Sequence, residues 1–139
     1  MASEFMFIIK LLLSAFLGGV IGYEREKTHR PAGLRTHMIV CVSACLASLI
    51  GIYSFEDNDP FRISANIITG IGFIGAGTII ANSANVKGVT TAATIFSVAC
   101  IGIAVSVGFY ITAIFTTLLI FGVLKLKSIE NKDFRFLKY

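Results

Sequence analysis

Residues 89–124 read VTTAATIFSVACIGIAVSVGFYITAIFTTLLIFGVL, a run without a single Asp, Glu, Lys or Arg. A helix that crosses the hydrocarbon core of a bilayer needs about 20 apolar residues, so this run is too long for one ordinary span and about right for two. Ser106-Val107-Gly108 is the best place for a turn between them. The stretch therefore predicts two consecutive membrane helices, at residues 89–105 and 109–124.

Three more apolar runs precede this stretch, at residues 7–23, 34–53 and 61–81. Of the 139 residues, 55% are hydrophobic and only 14% are charged, whereas a soluble domain carries about 25% charged residues. A chain with so few charged residues lacks the polar surface needed to stay dissolved in water, so lipid must surround its apolar surface. The predicted fold class is all-α: a polytopic integral membrane bundle of five transmembrane helices, with membrane lipid as its surroundings.

The basic residues test the number of spans, because Lys and Arg concentrate in cytoplasmic loops. With five spans, ten of the twelve basic residues fall on one side, the exceptions being Lys10 and Arg62. With four spans, the basic C-terminal segment would share a side with residues 54–60, which hold three acidic residues and no basic one. The sequence therefore predicts an N-terminus outside and a C-terminus in the cytoplasm.

The chain divides into three parts along its length. Residues 1–5 precede a second methionine, Met6, and are interpreted as a cloning remnant ahead of a native start. Residues 6–124 are predicted to form the five-helix transmembrane domain, and residues 125–139 a basic cytoplasmic tail. The net charge of +4 comes from short segments between apolar runs, which argues against a nucleic-acid partner.

All three cysteines, Cys41, Cys45 and Cys100, lie within apolar runs. Their odd number, the absence of a CxxC pair and the absence of a neighbouring His argue against a disulfide framework and a zinc site. Cys41 and Cys45 share a helix face by their spacing of four. They are expected to pack as small apolar residues against a neighbouring helix.

Small residues recur at close spacings along several predicted spans. Such positions let helix backbones approach closely, and this packing replaces the hydrophobic drive that is missing between helices in lipid. Packing within one chain is the favoured interpretation, and a homo-oligomer is the alternative. The candidate packing positions are Gly18, Gly22, Gly70, Gly72, Gly75, Gly77 and Gly102.

Residues 70–75 also match the dinucleotide pattern GxGxxG. No strand is predicted before them, so the match is taken as accidental.

Charged residues cluster at the ends of the predicted spans, where interfacial anchoring and helix capping explain many of them. A second hypothesis is an ion-pair network on the cytoplasmic side, formed by Glu24, Arg25, Arg30 and Arg35.

Asn66 is expected to lie inside the third span, where a buried amide needs a partner helix or, alternatively, lines a ligand site. His29 and His37 are expected in a loop or at the interface. The remaining polar candidates are Asp59, Arg62, Lys87 and Thr91.

The sequence contains no catalytic motif of these kinds: it has no nucleophile–base pair, no HExxH motif and no carboxylate pair within a span. We therefore expect no catalysis, no cofactor and no resident metal. A path for Mg²⁺ would be expected to offer carboxylate oxygens. No acidic residue occurs between Asp59 and Glu130, so a dedicated divalent-cation pathway has little support in the sequence.

Five blocks of sequence follow one another along the chain: GVIGYERE (19–26), RPAGLRTH (30–37), DPFRI (59–63), GIGFIGAGTI (70–79) and VKGVTTAA (86–93). In this order they resemble the signature of the MgtC/SapB family, and the resemblance covers residues 6–124. Together the five blocks are far more specific than any one alone. The chain departs from the family in two ways: many relatives continue into a cytoplasmic C-terminal domain, and Thr90 stands where some members carry Asn.

The resemblance implies a bacterial inner-membrane protein linked to growth at low magnesium and to survival inside host phagocytes. It also implies a regulatory role, including restraint of the membrane ATP synthase as a protein partner. The characteristic polar residues of the family correspond here to Glu24, Arg25, Arg35, Asp59, Arg62, Lys87 and Thr91.

Three functions stay open at this point. The first is a non-catalytic regulator that binds other membrane proteins through small-residue helix faces. The second is a cation transporter or channel that uses Asp59 or Glu24 as ion ligands. The third is a protein that binds an anionic lipid or small molecule in a cytoplasmic pocket around Arg25, Arg30, Arg35 and Lys87.

Overall fold

A computed structural model describes residues 2–54, 62–82 and 85–133. This part of the chain contains five α-helices, which confirms the helical fold class. Three of them are long and apolar enough to cross a membrane, at Glu4–Lys27, Leu34–Tyr53 and Val89–Ser106, whereas the apolar parts of the other two are shorter. The elements are α1 (Ala2–Lys27), α2 (Leu34–Ser54), α3 (Arg62–Ala76), β1 (Ile80–Asn82), β2 (Asn85–Lys87), α4 (Val89–Ser106) and α5 (Tyr110–Asp133).

The predicted turn within the long apolar run is confirmed between α4 and α5. The amide of Gly108 donates to the carbonyl oxygen of Val105 over 3.1 Å, and the amide of Phe109 donates to that of Ala104 over 2.9 Å. This pair of bonds is a Schellman motif, which needs a residue in the left-handed conformation just past the helix. Gly108 supplies it, with a φ of 92°.

The core lies where α4 packs between α1 and α2. One face of α4 is buried along its whole length, from Thr91 through Ile95 and Val98 to Val105. Cys41 and Cys45 are fully buried on α2, as the packing interpretation predicts. Two helix backbones come closest at Gly102 on α4, where an added Cβ would overlap the carbonyl oxygen of Cys41 on α2. These contacts make α1, α2 and α4 the frame that holds the polar residues described below.

The third predicted span, 61–81, is too long at its C-terminal end. Helix α3 ends at Ala76, and the chain then forms an antiparallel hairpin in which Ile80 pairs with Lys87. The apolar pair Ile79 and Ile80 is compatible with either helix or strand, so local pattern could not mark this end. The end of α3 depends instead on packing between segments. Gly88 has a φ of 92° and lies so close to Thr78, just after α3, that any Cβ on Gly88 would overlap the carbonyl oxygen of Thr78.

Large apolar side chains cover much of the outer surface of the bundle. Phe73 on α3 is 85% exposed, and Ile111 and Phe115 on α5 are exposed as well. Scattered apolar residues are normal on soluble proteins, but continuous apolar helix faces of this kind mark contact with lipid or with other proteins. The fold thus agrees with a lipid environment.

Candidate functional site

Arg25 anchors a polar site at the end of the bundle where α1 meets the start of α4. Its side chain is only 5% exposed, and its Nη2 atom donates a hydrogen bond of 2.9 Å to Oγ1 of Thr91. The Nε atom is also buried and has no hydrogen-bond partner among the described residues. A buried guanidinium with an unused donor is costly unless an anion or another acceptor satisfies it.

The proposed network of ion pairs is not formed through hydrogen bonds among the described residues, although the charge of Glu24 acts on Arg25. Glu24 is buried, at 5% exposed, yet its Oε2 atom has no hydrogen-bond partner within the described part of the chain. Arg30 and Arg35 are both exposed, while Arg25 turns inward to Thr91. The network prediction is therefore wrong: the four residues share an end of the bundle, but solvent competes for the two exposed guanidinium groups and a threonine holds the buried one.

Glu26 has a role that the sequence did not indicate. Its Oε2 atom accepts a hydrogen bond of 2.8 Å from the backbone amide of Leu34, the first residue of α2. The free amides at a helix start need such acceptors. Glu26 therefore ties the end of α1 to the beginning of α2 and fixes the loop that carries His29 and Arg30.

A chain of hydrogen bonds continues from the site into the core. Thr94 Oγ1 donates to the carbonyl oxygen of Thr91 over 2.9 Å and lies 2.9 Å from Nε2 of His37. The Nδ1 atom of His37 donates to the carbonyl oxygen of Gly33 over 2.8 Å. His37 lies within α2 and is 0% exposed, so it is not in a loop, whereas His29 is exposed in the loop after α1.

A cavity of about 830 Å³ opens beside Arg25. Its volume lies within the range of small-molecule sites in proteins. Four described residues that line it carry basic side chains, whereas no described lining residue is acidic. An apolar wall from α5 completes it. The residues that matter here are Arg25, His29, Arg30, Lys87, Thr90, Thr91, Val123 and Leu126.

Helix α4 begins at this cavity. Its N-cap, Gly88, has no side chain to accept a hydrogen bond, and the first bond within the helix runs from the amide of Ala92 to the carbonyl oxygen of Gly88. The amides of Val89, Thr90 and Thr91 therefore have no partner inside the helix. All three residues line the cavity, which adds the positive end of a helix dipole to its cationic side chains.

Lys10 lies near the opposite end of the bundle. Its side chain is only 5% exposed, and Nζ donates a hydrogen bond of 2.7 Å to the carbonyl oxygen of Ser106 at the end of α4. That carbonyl is among the last four of the helix, which lack helical partners. A cation at this negative end of the dipole is favourable.

The remaining candidates lie away from the cavity. Asp59 is outside the described residues. Arg62 is exposed at the first turn of α3. Asn66 is exposed on α3 rather than enclosed, and it makes no hydrogen bond with a described residue. Arg35, which was expected in the same pocket, does not line the cavity.

The candidate packing glycines fall into two groups. Gly18 and Gly22 lie against α2, Gly102 also lies against α2, and Gly75 faces Ala92 of α4. Gly70 and Gly72 differ from the favoured prediction, because no described atom lies within 4 Å of a Cβ built on either. Both are exposed on α3, where a spacing of two places them on different sides of the helix. Gly77 is in the turn after α3. Any packing partner of Gly70 and Gly72 must come from outside the described chain.

Within the described ranges, no three His, Cys, Asp or Glu residues come close enough together to hold a metal ion. The polar chemistry of the described site is that of an anion-binding cavity, built from guanidinium, ammonium, hydroxyl and amide donors.

Apolar helices with buried cations near both ends of their bundle define an integral membrane protein with a polar site at one end. The model of the MgtC family matches residues 11–132, and the chain therefore belongs to the MgtC family. No solved structure matches the chain.

Three relatives show how far the similarity extends. The Escherichia coli (strain K12) protein named "Putative magnesium transporter YhiD" is 39% identical over 127 residues, covering 86% of this chain and 59% of its own length. Protein SapB of Bacillus subtilis is 41% identical, over 74% of this chain and 48% of its own length. Protein MgtC of Brucella abortus is 42% identical, over 81% and 48%. The chain thus spans about half the length of these relatives.

Proposed function

We propose that the chain is a non-catalytic regulatory protein of the bacterial inner membrane that acts by binding other membrane proteins. It crosses the membrane five times, with the N-terminus outside and the C-terminus in the cytoplasm. Its biological setting is adaptation to low magnesium and survival inside host cells, as the family resemblance implies. The name of YhiD, which refers to magnesium transport, supports the link to magnesium but not the regulatory mechanism.

The arrangement of the helices supports five spans. Arg25 at the end of α1, Lys87 before α4 and Leu124 on α5 line one cavity, so these three segments lie at the same end of the bundle. That end carries the basic residues, which favour the cytoplasm. Helix α3, with 15 residues, is about 22 Å long, which is shorter than the hydrocarbon core of about 30 Å.

Basic side chains are buried near both ends of the α1–α2–α4 core, and this observation favours a binding function over cation transport. Lys10 lies at one end and Arg25 at the other, each 5% exposed. Fixed positive charges in a low-dielectric path raise the energy of a passing cation, and channels use such charges to exclude cations. A pathway for Mg²⁺ through this core would have to pass both.

The outward face of α3 supports a role in binding protein partners. Gly72 and Ala76, four positions apart on one side of α3, are both exposed, as is the neighbouring ring of Phe73. A membrane helix of another protein can approach such a small-residue face closely. We assign this face to the protein partner, with the membrane ATP synthase as the partner that the resemblance implies and a second copy of the chain as the alternative.

Reconstitution separates binding from transport. The purified chain is placed in liposomes that contain a Mg²⁺-sensitive dye, with protein-free liposomes and an added Mg²⁺ ionophore as controls. The proposal predicts no flux above that of protein-free liposomes, together with recovery of ATP synthase subunits when the tagged chain is purified from membranes. Flux that is abolished by Asp59→Asn would overturn it in favour of a transporter.

A further inference from the structure

We propose that the cavity beside Arg25 binds the phosphate group of an anionic phospholipid, with the acyl chains lying against α5. This site goes beyond the proposed regulatory function, and only its placement in the cytoplasmic leaflet rests on the five-span topology. Four features of the cavity indicate this ligand: converging cations, free helix amides, a buried guanidinium with an unpartnered donor, and an apolar wall.

The cations come from three separate segments of the chain. Arg25 is on α1, Arg30 is in the loop that follows it, and Lys87 is on β2. Like charges repel, so gathering them around one cavity is unfavourable unless an anion lies between them. No acidic residue among the described lining residues provides that anion. A phosphate group would, and both guanidinium and ammonium groups bind phosphate.

The start of α4 adds directional donors to this charge. The amides of Val89, Thr90 and Thr91 border the cavity and lack partners in the helix. Helix starts bind phosphate through such amides and through the dipole. Gly88, in the left-handed conformation, is the single residue between Lys87 at the end of β2 and the first residue of α4.

Arg25 is the independent observation that indicates a ligand. The Arg25 side chain is only 5% exposed and lines the cavity, and its buried Nε donor has no described partner. Thr91 holds only its Nη2 atom. Glu24, its acidic neighbour in sequence, attracts the guanidinium electrostatically, but the Oε2 atom of Glu24 accepts no hydrogen bond from a described residue. The guanidinium is thus fixed in place with donor capacity left over, which is the state expected of a preformed anion site.

The apolar wall favours a lipid over free phosphate. Val123 and Leu126 of α5 line the cavity and are exposed, as is Val89 opposite them. Leu119, one turn before Val123, continues this exposed apolar face along α5. A phospholipid has the matching shape, with an anionic head for the basic side and hydrocarbon for the α5 side. Inorganic phosphate would leave the apolar wall unused.

Lipid binding to the purified full-length chain tests the site. The probes are phosphatidylglycerol, phosphatidylcholine and inorganic phosphate, with lipid adducts measured by native mass spectrometry and phosphate by equilibrium dialysis. The test variant is the double change Arg30→Gln and Lys87→Gln, which removes two exposed lining cations and leaves the buried Arg25 in place. The matched control is Lys27→Gln with Arg35→Gln, which removes two exposed cations that do not line the cavity.

We expect phosphatidylglycerol to bind in preference to phosphatidylcholine. The test variant should weaken that binding about 30-fold, on the basis of the contribution of each basic residue near an anionic surface, while the control variant binds like the wild type. Equal loss in both variants would overturn the proposal, since it would mean general charge attraction. Binding of inorganic phosphate alone, lost in the test variant, would overturn the lipid assignment, and binding of neither probe would overturn the site. These results do not depend on ATP synthase or on Mg²⁺ flux, so the regulatory function can fail separately.

Discussion

The Nη2 atom of Arg25 lies 2.9 Å from Oγ1 of Thr91, a residue 66 positions further along the chain, and donates a hydrogen bond to it. The bond joins the end of α1 to the first turn of α4. A cation beside the positive end of a helix dipole is unfavourable by itself, so the hydroxyl acceptor matters more here than in an ordinary polar contact. This contact positions the guanidinium at the mouth of the cavity.

Replacing Thr91 with Val should destabilise the protein, because the change keeps the shape of the side chain and removes the acceptor for a buried guanidinium. Hydrogen bonds to charged groups contribute about 1.5–3 kcal/mol, and we expect a loss of that size in the free energy of unfolding. Unfolding in detergent followed by circular dichroism measures it. Thr90→Val is the control, since Thr90 is exposed; equal losses in the two variants would argue against the Arg25 contact.

Changing Lys10 to Met should also lower stability, although the core gains an apolar side chain. The carbonyl oxygen of Ser106 would lose the donor that now lies 2.7 Å away, and an orphaned buried acceptor costs about 1–3 kcal/mol. Thermal unfolding of the variant beside Lys27→Met, which alters an exposed residue, gives the comparison. Unchanged stability of the Lys10 variant would contradict a stabilising role for the bond between Lys10 and Ser106.

Adding a methyl group at Gly102 should disturb the bundle severely. The new Cβ would overlap the carbonyl oxygen of Cys41, which belongs to the backbone of α2 and cannot rotate away. Overpacking of a core costs about 1–3 kcal/mol or more, so Gly102→Ala is expected to reduce the yield of monodisperse protein in gel filtration and its melting temperature. Gly122→Ala meets no described atom within 4 Å and should be neutral or slightly stabilising; similar behaviour of both variants would contradict the close approach of α2 and α4.

A larger side chain on the open face of α3 should affect partner binding rather than folding. Gly72→Leu has space within the chain, because no described atom lies within 4 Å of that position. We expect normal thermal stability and reduced recovery of ATP synthase subunits from membranes. Gly122→Leu on α5 serves as the control, since Gly122 has equal space. Equal recovery of the subunits with both variants would exclude α3 as the docking face.

The helices were predictable from the sequence because their signals are local. The uncharged run at residues 89–124 was divided at the turn that the structure forms, since Gly108 is the residue that can adopt its left-handed conformation. The end of α3 was missed because the hairpin of residues 80–87 depends on pairing between segments and on the fit of Gly88 against Thr78. Neither feature appears in a single apolar run.

The candidate site was predicted in its composition but not in its connections. Arg25, Arg30 and Lys87 were grouped by charge and topology, and they do line one cavity. The contacts of Lys10 with Ser106 and of His37 with Thr94 join residues 96 and 57 positions apart, and sequence spacing carries no information on such pairs. One local signal was available: Thr91 and Thr94 are three residues apart and therefore share a face of α4.

Membrane topology underlies both the placement of the anion site and the regulatory function. Single cysteines are introduced at Asp57, Lys87 and Ser128 in a variant whose native cysteines are alanine, and intact cells are treated with a membrane-impermeant thiol reagent before and after permeabilisation. Five spans predict labelling of position 57 in intact cells, and of positions 87 and 128 only after permeabilisation. Labelling of positions 87 and 128 from opposite sides of the membrane would contradict the five-span arrangement.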